Sequence, residues 1–285
     1  MAIKDIFLPL VSYPNPTPIV AIEKCVAIAS YMGANISATA VELEVPTPAG
    51  PFTGAFAMEG TAPIEETGEH QKSPPNFKRM LEGLEAAAKS SNVAYTLTLA
   101  PCVPEDIAAV LVSQSRLRDL SLIPVKDHNG GQENVIDSLL LESGRPVLLF
   151  SEQLVNRLSN SFDHVAIAWD HSAQAARTVA DALPFLQNAK SVRVLTATDK
   201  ATSAERESGA SLVKHLAKHG IVASFGVPKI GGSSIGKVLE AYVKANKIDL
   251  LVMGAYRHSR LREFVMGGAT YTILGHPPCW VLMSH

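Results

Sequence analysis

The sequence predicts an α/β protein of two tandem domains, each with a five-stranded parallel sheet and helices on both faces. Three observations support this prediction. Hydrophobic residues make up 47% of the 285 residues and charged residues 18%, which suffices for the cores of two ordinary domains. Short apolar runs alternate with helix-like segments along the chain. The order of these segments in the first half returns in the second.

The first half contains five apolar runs that predict strands. Near-continuous Val, Ile and Leu indicates burial on both faces, which is typical of a parallel sheet between helices. Longer amphipathic or Ala-rich stretches between the runs predict helices. The strands are expected at residues 5–11, 35–42, 93–99, 119–125 and 146–150, and the helices at 17–32, 76–90, 104–116 and 132–141.

The second half repeats this alternation. Its first strand, HVAIAW, is uniformly apolar, and an Ala-rich helix follows directly. The pattern again ends on an apolar strand after a Pro-Pro pair. The strands are expected at residues 164–169, 191–198, 221–227, 249–254 and 279–283, with helices at 172–185, 204–219, 234–246 and from 268.

Direct comparison of the halves indicates a duplicated unit. Asp119–Ile123 (DLSLI) aligns with Asp249–Met253 (DLLVM) at an offset of 130 residues. The last strands align at an offset of 134, so the first copy is four residues shorter after its fourth strand. We therefore expect one domain at residues 1–152 and another at 160–285.

The first copy also carries an insertion, at about residues 45–75, that is rich in Pro, Gly, Thr and Glu. This composition predicts a long loop, and we favour disorder or a loose cover over a catalytic lid. Because the first copy lacks counterparts of residues that the second copy places at its strand ends, we expect it to be a degenerate domain without a site. Val11 stands where the second copy has Asp170, and Pro124 where it has Gly254.

Charge and cysteine content limit the function. The net charge of −2 disfavours nucleic-acid binding, but residues 1–151 carry −7 and the remainder +5. If the protein has an anionic ligand, this imbalance points to the second half as its site; a chance imbalance is the alternative. No apolar run reaches the ~18 residues of a membrane span. Three widely separated cysteines form neither a disulfide framework nor a metal clip, so we expect a cytoplasmic protein without membrane partners.

The segment after the fourth strand of the second copy has the features of an anion site. Gly254 ends the strand, and the Gly267–Gly268 pair opens the next helix. Glycine allows close backbone approach, and helix N–H groups attract anions. Parallel sheets bind ligands at this edge. The segment also offers cationic and hydroxyl side chains, namely Arg257, His258, Ser259, Arg260, Arg262 and Thr270.

The spacing of these residues resembles a motif of the universal stress protein family. Its nucleotide-binding members carry G-x2-G-x9-G-[S/T] after the fourth strand and an Asp at the end of the first. Gly254 and Gly267 match the first and third glycines at that spacing, and Asp170 closes the first strand. The resemblance extends over the whole chain as two copies, and it implies Rossmann-like, adenine-nucleotide-binding α/β domains.

The resemblance implies roles for individual residues. Asp170 would lie by the adenine or ribose, and Ala197, in the second strand, near the adenine. Arg257 replaces the second glycine of the motif, and an arginine can donate two hydrogen bonds to a phosphate. Gly268 stands at the Ser/Thr position of the motif, and the hydroxyl group missing there could come from Thr270. The candidate binding residues are Asp170, Ala197, Gly254, Arg257, His258, Ser259, Arg260, Gly267, Gly268 and Thr270.

Two other patterns favour structural interpretations. Gly231–Val238 contains the GxxxxGK of a phosphate-binding loop, but Val238 replaces the magnesium-binding hydroxyl, so we expect a polar helix cap. His215 and His219 lie four residues apart without a third ligand, so a solvated helix face is expected rather than a metal site. We assign no catalytic or metal-binding residue.

The resulting hypothesis is a stress-response protein with a regulatory or signalling role. It would bind ATP or a related adenine nucleotide, with Mg²⁺ as an optional companion, in the C-terminal domain. Two alternatives remain: an interaction scaffold in which Arg257 fills the pocket, and a slow nucleotide or phosphate-ester hydrolase. The family also implies that the last strand of each copy joins the copies as an intrachain pseudo-dimer, and a homodimer of whole chains is expected.

Overall fold

The computed structural model describes residues 2–11, 16–43, 75–126, 132–256 and 268–285. The N-terminal half contains β1 (Asp5–Val11), α1 (Ile19–Met32), β2 (Asn35–Leu43), α2 (Pro75–Ser90), β3 (Tyr95–Cys102), α3 (Ile107–Ser115), β4 (Leu120–Val125), α4 (Glu133–Glu142) and β5 (Val147–Ser151). The C-terminal half contains β6 (His164–Ala168), α5 (Ala173–Leu186), β7 (Ser191–Leu195), α6 (Ser203–Lys218), β8 (Ala223–Gly226), α7 (Ile235–Asn246), β9 (Leu250–Gly254), α8 (Ala269–Gly275) and β10 (Trp280–Ser284).

The ten strands form one sheet in the order β3-β2-β1-β4-β5-β10-β9-β6-β7-β8. Within each half the strands pair in parallel, which confirms the predicted α/β class. The halves meet where β5 and β10 pair antiparallel, with Leu282 opposite Leu148. The last strand of each half is therefore an interior strand of the combined sheet.

Two hydrophobic cores cover the two faces of the sheet. One core receives side chains from α1, α2, α5 and α6, and the other from α3, α4, α7 and α8. At the junction of the halves, the rings of Phe150 and Trp280 lie 4.6 Å apart, and Phe162 approaches Trp280 edge-on at 6.0 Å. These fully buried aromatics fill the space around the antiparallel strand pair.

The repeated Asp of the DLSLI and DLLVM segments has the same role in both halves. Asp249 Oδ2 accepts a hydrogen bond from the backbone N–H of His164 at 2.8 Å. Asp119 Oδ2 accepts from the N–H groups of Lys4 and Asp5, at 2.8 and 3.0 Å. Each carboxylate thus joins the beginning of the first strand of its half to the beginning of the fourth.

The predicted elements are present, but some bounds differ. The strand expected at residues 191–198 ends at Leu195, so Ala197 lies beyond it rather than inside it. On the side of β6, which ends at Ala168, the last backbone bond joins Trp169 N–H to Leu195 O at 2.8 Å. On the side of β8, the N–H groups of Thr196 and Thr198 still donate to the carbonyls of Gly226 and Pro228 at 3.1 Å, so the chain after Leu195 is bonded to β8 without a strand partner in β6. The expected loop at 45–75 lies outside the described residues except for Pro75, which begins α2. The domain limits 1–152 and 160–285 stay a prediction.

Candidate functional site

Three of the predicted site residues lie at the same edge of the sheet. Asp170 follows β6, Ala197 follows β7, and Gly254 is the last residue of β9. Strand β6 lies between β9 and β7. The chain proceeds from β6 to β7 and β8 on one side and then crosses to β9 on the other. Parallel α/β sheets bind ligands in the crevice that such a reversal leaves at the carboxyl ends of the strands.

Two side-chain hydrogen bonds fix the turn that carries Asp170. Asp170 Oδ1 accepts from the N–H of Ser172 at 3.0 Å. The Ser172 hydroxyl accepts from the N–H of Ala175 at 3.1 Å and so caps α5. Between them, His171 has a left-handed backbone, with φ of 64°. The turn holds the exposed Asp170 carboxylate where β6 ends and α5 begins.

Gly254 is required by packing between a strand and a helix. A Cβ at this position would lie 2.6 Å from the backbone N of Ala175 and 2.8 Å from the carbonyl carbon of Gln174. The first turn of α5 therefore lies directly against the end of β9. The sequence analysis predicted close approach of Gly254 to a ligand, whereas the observed close neighbour is the helix that follows Asp170.

Beyond β9, the chain is held by a residue that the sequence analysis missed. Tyr256 has a left-handed backbone, with φ of 51°, and its N–H donates to the Thr270 hydroxyl at 3.4 Å. Its phenol donates to Oδ1 of Asp137, on α4 of the N-terminal half. Burial raises the pKa of this phenol, and Asp137 and Glu133 raise it further, so it stays a hydrogen-bond donor.

Gly268 stands where the motif has a Ser or Thr, and Thr270 is the predicted source of the missing hydroxyl group. Gly268 precedes α8, and a Cβ there would meet nothing within 4 Å among the described residues. The Thr270 oxygen accepts a bond from Tyr256, and this leaves its proton for donation to a ligand.

The other predicted site residues lie outside the described residues: Arg257, His258, Ser259, Arg260 and Gly267, together with Arg262. The sequence analysis missed two cations in the described part of the edge. Lys200 follows β7 and Lys229 follows β8, and both are exposed. Their position after predicted strand ends was the available signal. A third exposed cation, Lys237 of the GxxxxGK segment, lies in the first turn of α7.

The GxxxxGK segment forms a helix cap, as predicted. The Ser234 hydroxyl accepts from the N–H of Lys237 at 3.3 Å at the beginning of α7. The glycine before that lysine has a packing role, because a Cβ on Gly236 would lie 2.5 Å from Cβ of Thr272. This glycine lets α7 approach α8.

The predicted solvent-facing histidines lie at the end of α6. Both His215 and His219 are exposed, and their ring centroids are 4.9 Å apart. In the described ranges, no group of three or more His, Cys, Asp or Glu side chains is placed to hold a metal ion. None of the described helices is long and apolar enough to cross a membrane.

The comparisons with known proteins agree with this arrangement. A universal stress protein from Archaeoglobus fulgidus has a similar structure, with a TM-score of 0.64 and 13% identity over 98% of this chain and 95% of that one. A functionally unknown protein from Pseudomonas aeruginosa PAO1 gives a TM-score of 0.59 and 12% identity over 99% and 92%. At these identities the likeness concerns the fold. No curated protein matches the sequence significantly.

The C-terminal half belongs to the class of parallel α/β domains. It is a five-stranded parallel α/β unit with its candidate residues at the strand-order reversal. Residues 161–285 match the model of the universal stress protein family and are a domain of that family. This match confirms, for the C-terminal half, the resemblance that Asp170, Gly254 and Gly267 indicated.

Proposed function

We propose that the C-terminal half binds an adenine nucleotide at the carboxyl ends of β6, β7 and β9, and that binding serves a regulatory or signalling role. One observation carries the proposal: direct contacts join the three sequence segments that contain Asp170, Gly254 and Thr270. The Asp170 turn continues into the first turn of α5, which lies against Gly254. Two residues further on, Tyr256 bonds to Thr270.

Each of these residues has a chemical role in the proposal. The exposed Asp170 carboxylate accepts hydrogen bonds from the ribose hydroxyls or the adenine amino group. Ala197 has a small side chain that leaves room for the base. The Thr270 hydroxyl donates to a phosphate, and the exposed lysines of the same edge attract its charge. Arg257 and Arg260 are further phosphate donors in the proposal.

Mg²⁺ would enter with the nucleotide. Because Mg²⁺ commonly keeps several waters and binds through substrate phosphates, it needs no dedicated protein cage. Asp170 is an exposed carboxylate that could contribute one oxygen ligand.

Isothermal titration of the full chain with ATP and AMP, in the presence of Mg²⁺, tests the proposal. We expect saturable binding that Asp170→Ala weakens about 10- to 150-fold, because one hydrogen bond to a charged group contributes roughly 1.5–3 kcal/mol. Asp163→Ala is the matched control, since Asp163 precedes β6 at its opposite end and pairs with the exposed Lys190 at 2.7 Å. It should leave the affinity unchanged.

Two results would contradict the proposal. If neither nucleotide binds to the folded wild-type chain, the scaffold alternative gains support. If Asp163→Ala and Asp170→Ala weaken binding equally, the nucleotide does not lie at the carboxyl end of β6.

A further inference from the structure

We propose that two copies of this chain associate through the outer edge of β3, forming an antiparallel strand pair across a twofold axis at Leu97. Strand β3 ends the sheet and pairs with β2 on its inner side, from Tyr95 beside Ile36 to Cys102 beside Leu43. Edge strands offer unpaired N–H and C=O groups to any strand of suitable shape.

The ladder with β2 determines which residues face outward. The N–H of Ile36 donates to the carbonyl of Ala94 at 3.0 Å, so the backbone groups of Ala94 point toward β2. Because successive residues of a strand alternate in direction, the N–H and C=O groups of Tyr95, Leu97 and Leu99 point to the outer edge.

The same three residues carry large apolar side chains exposed to solvent. Tyr95, Leu97 and Leu99 are 36%, 37% and 51% exposed. They lie on one face of the sheet, since their residue numbers differ by two. A partner strand would therefore gain backbone hydrogen bonds and bury apolar surface at the same positions.

Among the described residues, the first five positions of this edge carry none of the usual protection against association. No charged residue occurs from Val93 to Pro104. The opposite edge strand, β8, is protected by its length of only four residues, Ala223–Gly226. Pro101 lies in the outward register of β3 and has no N–H to donate, so it limits the usable edge to the five residues Tyr95–Leu99.

The pattern of these five residues favours a second copy as the partner. Apolar and threonine residues alternate symmetrically about Leu97, in the order Tyr-Thr-Leu-Thr-Leu. In an antiparallel pair of identical strands, Leu97 lies opposite Leu97, Tyr95 opposite Leu99, and Thr96 opposite Thr98. Apolar pairs and Thr–Thr pairs are both favourable across strands. A twofold interface requires such self-complementarity.

The chain already uses this form of association internally. Strands β5 and β10 each end the sheet of their own half, and their antiparallel pairing joins the halves, with Val281 opposite Leu149. Pairing of β3 with its copy would extend the same sheet by the same geometry.

The mass of the full chain in solution tests the interface. Sedimentation or light scattering should give twice the chain mass of 30.4 kDa for the wild type. Leu97→Lys should give the monomer mass, because two lysines would face each other at the twofold axis. Val222→Lys is the control, since Val222 is 90% exposed beside the opposite edge strand. It should remain a dimer.

Cysteine cross-linking tests the register separately from variant stability. Leu97→Cys should form a disulfide-linked dimer on mild oxidation, because residues directly opposite lie about 5.5 Å apart between Cα atoms. Leu99→Cys should not, because four residues along the strands separate the two cysteines by roughly 13 Å. The native cysteines are buried. A monomeric wild type, a dimeric Leu97→Lys variant or equal cross-linking of both cysteine variants would overturn the proposal.

Discussion

Replacing Gly254 by alanine should destabilise the chain, because the new methyl group has no space. Its Cβ would lie 2.6 Å from the Ala175 nitrogen and 2.8 Å from the Gln174 carbonyl carbon, both of which are backbone atoms. A methyl group cannot fit at these distances unless the first turn of α5 moves away from β9. Overpacking of this kind costs about 1–3 kcal/mol.

The expected shift in melting temperature follows from the chain length. An unfolding entropy of about 2.1 cal/mol/K per residue gives roughly 0.6 kcal/mol/K for a chain of 285 residues. Dividing the overpacking cost by this value predicts that Gly254→Ala lowers the melting temperature by about 2–5 °C. Scanning calorimetry measures this shift directly.

Gly275→Ala provides the matched control for this prediction. Gly275 is the last residue of α8, and a Cβ there would meet no atom of the described residues within 4 Å. Alanine restricts the unfolded chain and favours helix, so we expect no loss of stability. If Gly254→Ala melts at the same temperature as Gly275→Ala or the wild type, the close contact between β9 and α5 is wrong.

Three further predictions concern Tyr256, the thiols and Ser234. Because its folded-state pKa is raised, the Tyr256 phenol contributes stability that is fully present below about pH 10 and is lost as the pH rises above it. The buried Cys25 and Cys279 thiols, whose pKa is also raised, add an alkaline loss of their own. Urea unfolding should therefore show a loss above pH 10 that is smaller in Tyr256→Phe than in the wild type, by roughly 1.4 kcal/mol per pH unit. Burial raises the pKa of the Cys25 and Cys279 thiols, so a thiol reagent at pH 8 should react with them only after unfolding, and rapid native reaction would contradict their burial. Ser234→Ala should lower stability by about 1 kcal/mol through loss of the α7 cap, and an accompanying loss of ATP affinity would instead indicate a phosphate-binding loop.

The order of elements could be predicted from sequence because apolar runs and amphipathic segments alternate without ambiguity. The sequence match between the Asp119 and Asp249 segments also corresponds to the same structural role, since each carboxylate accepts a backbone hydrogen bond at the first strand of its half. Strand ends were less predictable. After Leu195 the backbone keeps its hydrogen bonds to the β8 side but has no partner in β6, and the positions where these neighbours end lie in parts of the sequence distant from Ala197.

The candidate site was predictable only in part. Asp170 and Gly254 stand at recognisable motif positions. The contact of Gly254 with α5, in contrast, joins distant parts of the chain and could not be predicted from the motif. The bond between Tyr256 and Asp137 joins residues 119 positions apart on different halves, and no local pattern indicates such a pair. The Arg257–Gly267 segment of the motif lies outside the described residues.

Hydrogen exchange of the full chain with and without saturating ATP and Mg²⁺ tests the central claim most directly, because it locates the ligand. A nucleotide at the carboxyl ends of β6, β7 and β9 should slow amide exchange around Asp170–Ala175, Thr196–Thr198 and Gly254–Tyr256. Amide exchange at the corresponding N-terminal edge, around Val11 and Val125, should not change. Protection at the N-terminal edge, or none at the ends of β6, β7 and β9 while ATP is bound, would contradict the account.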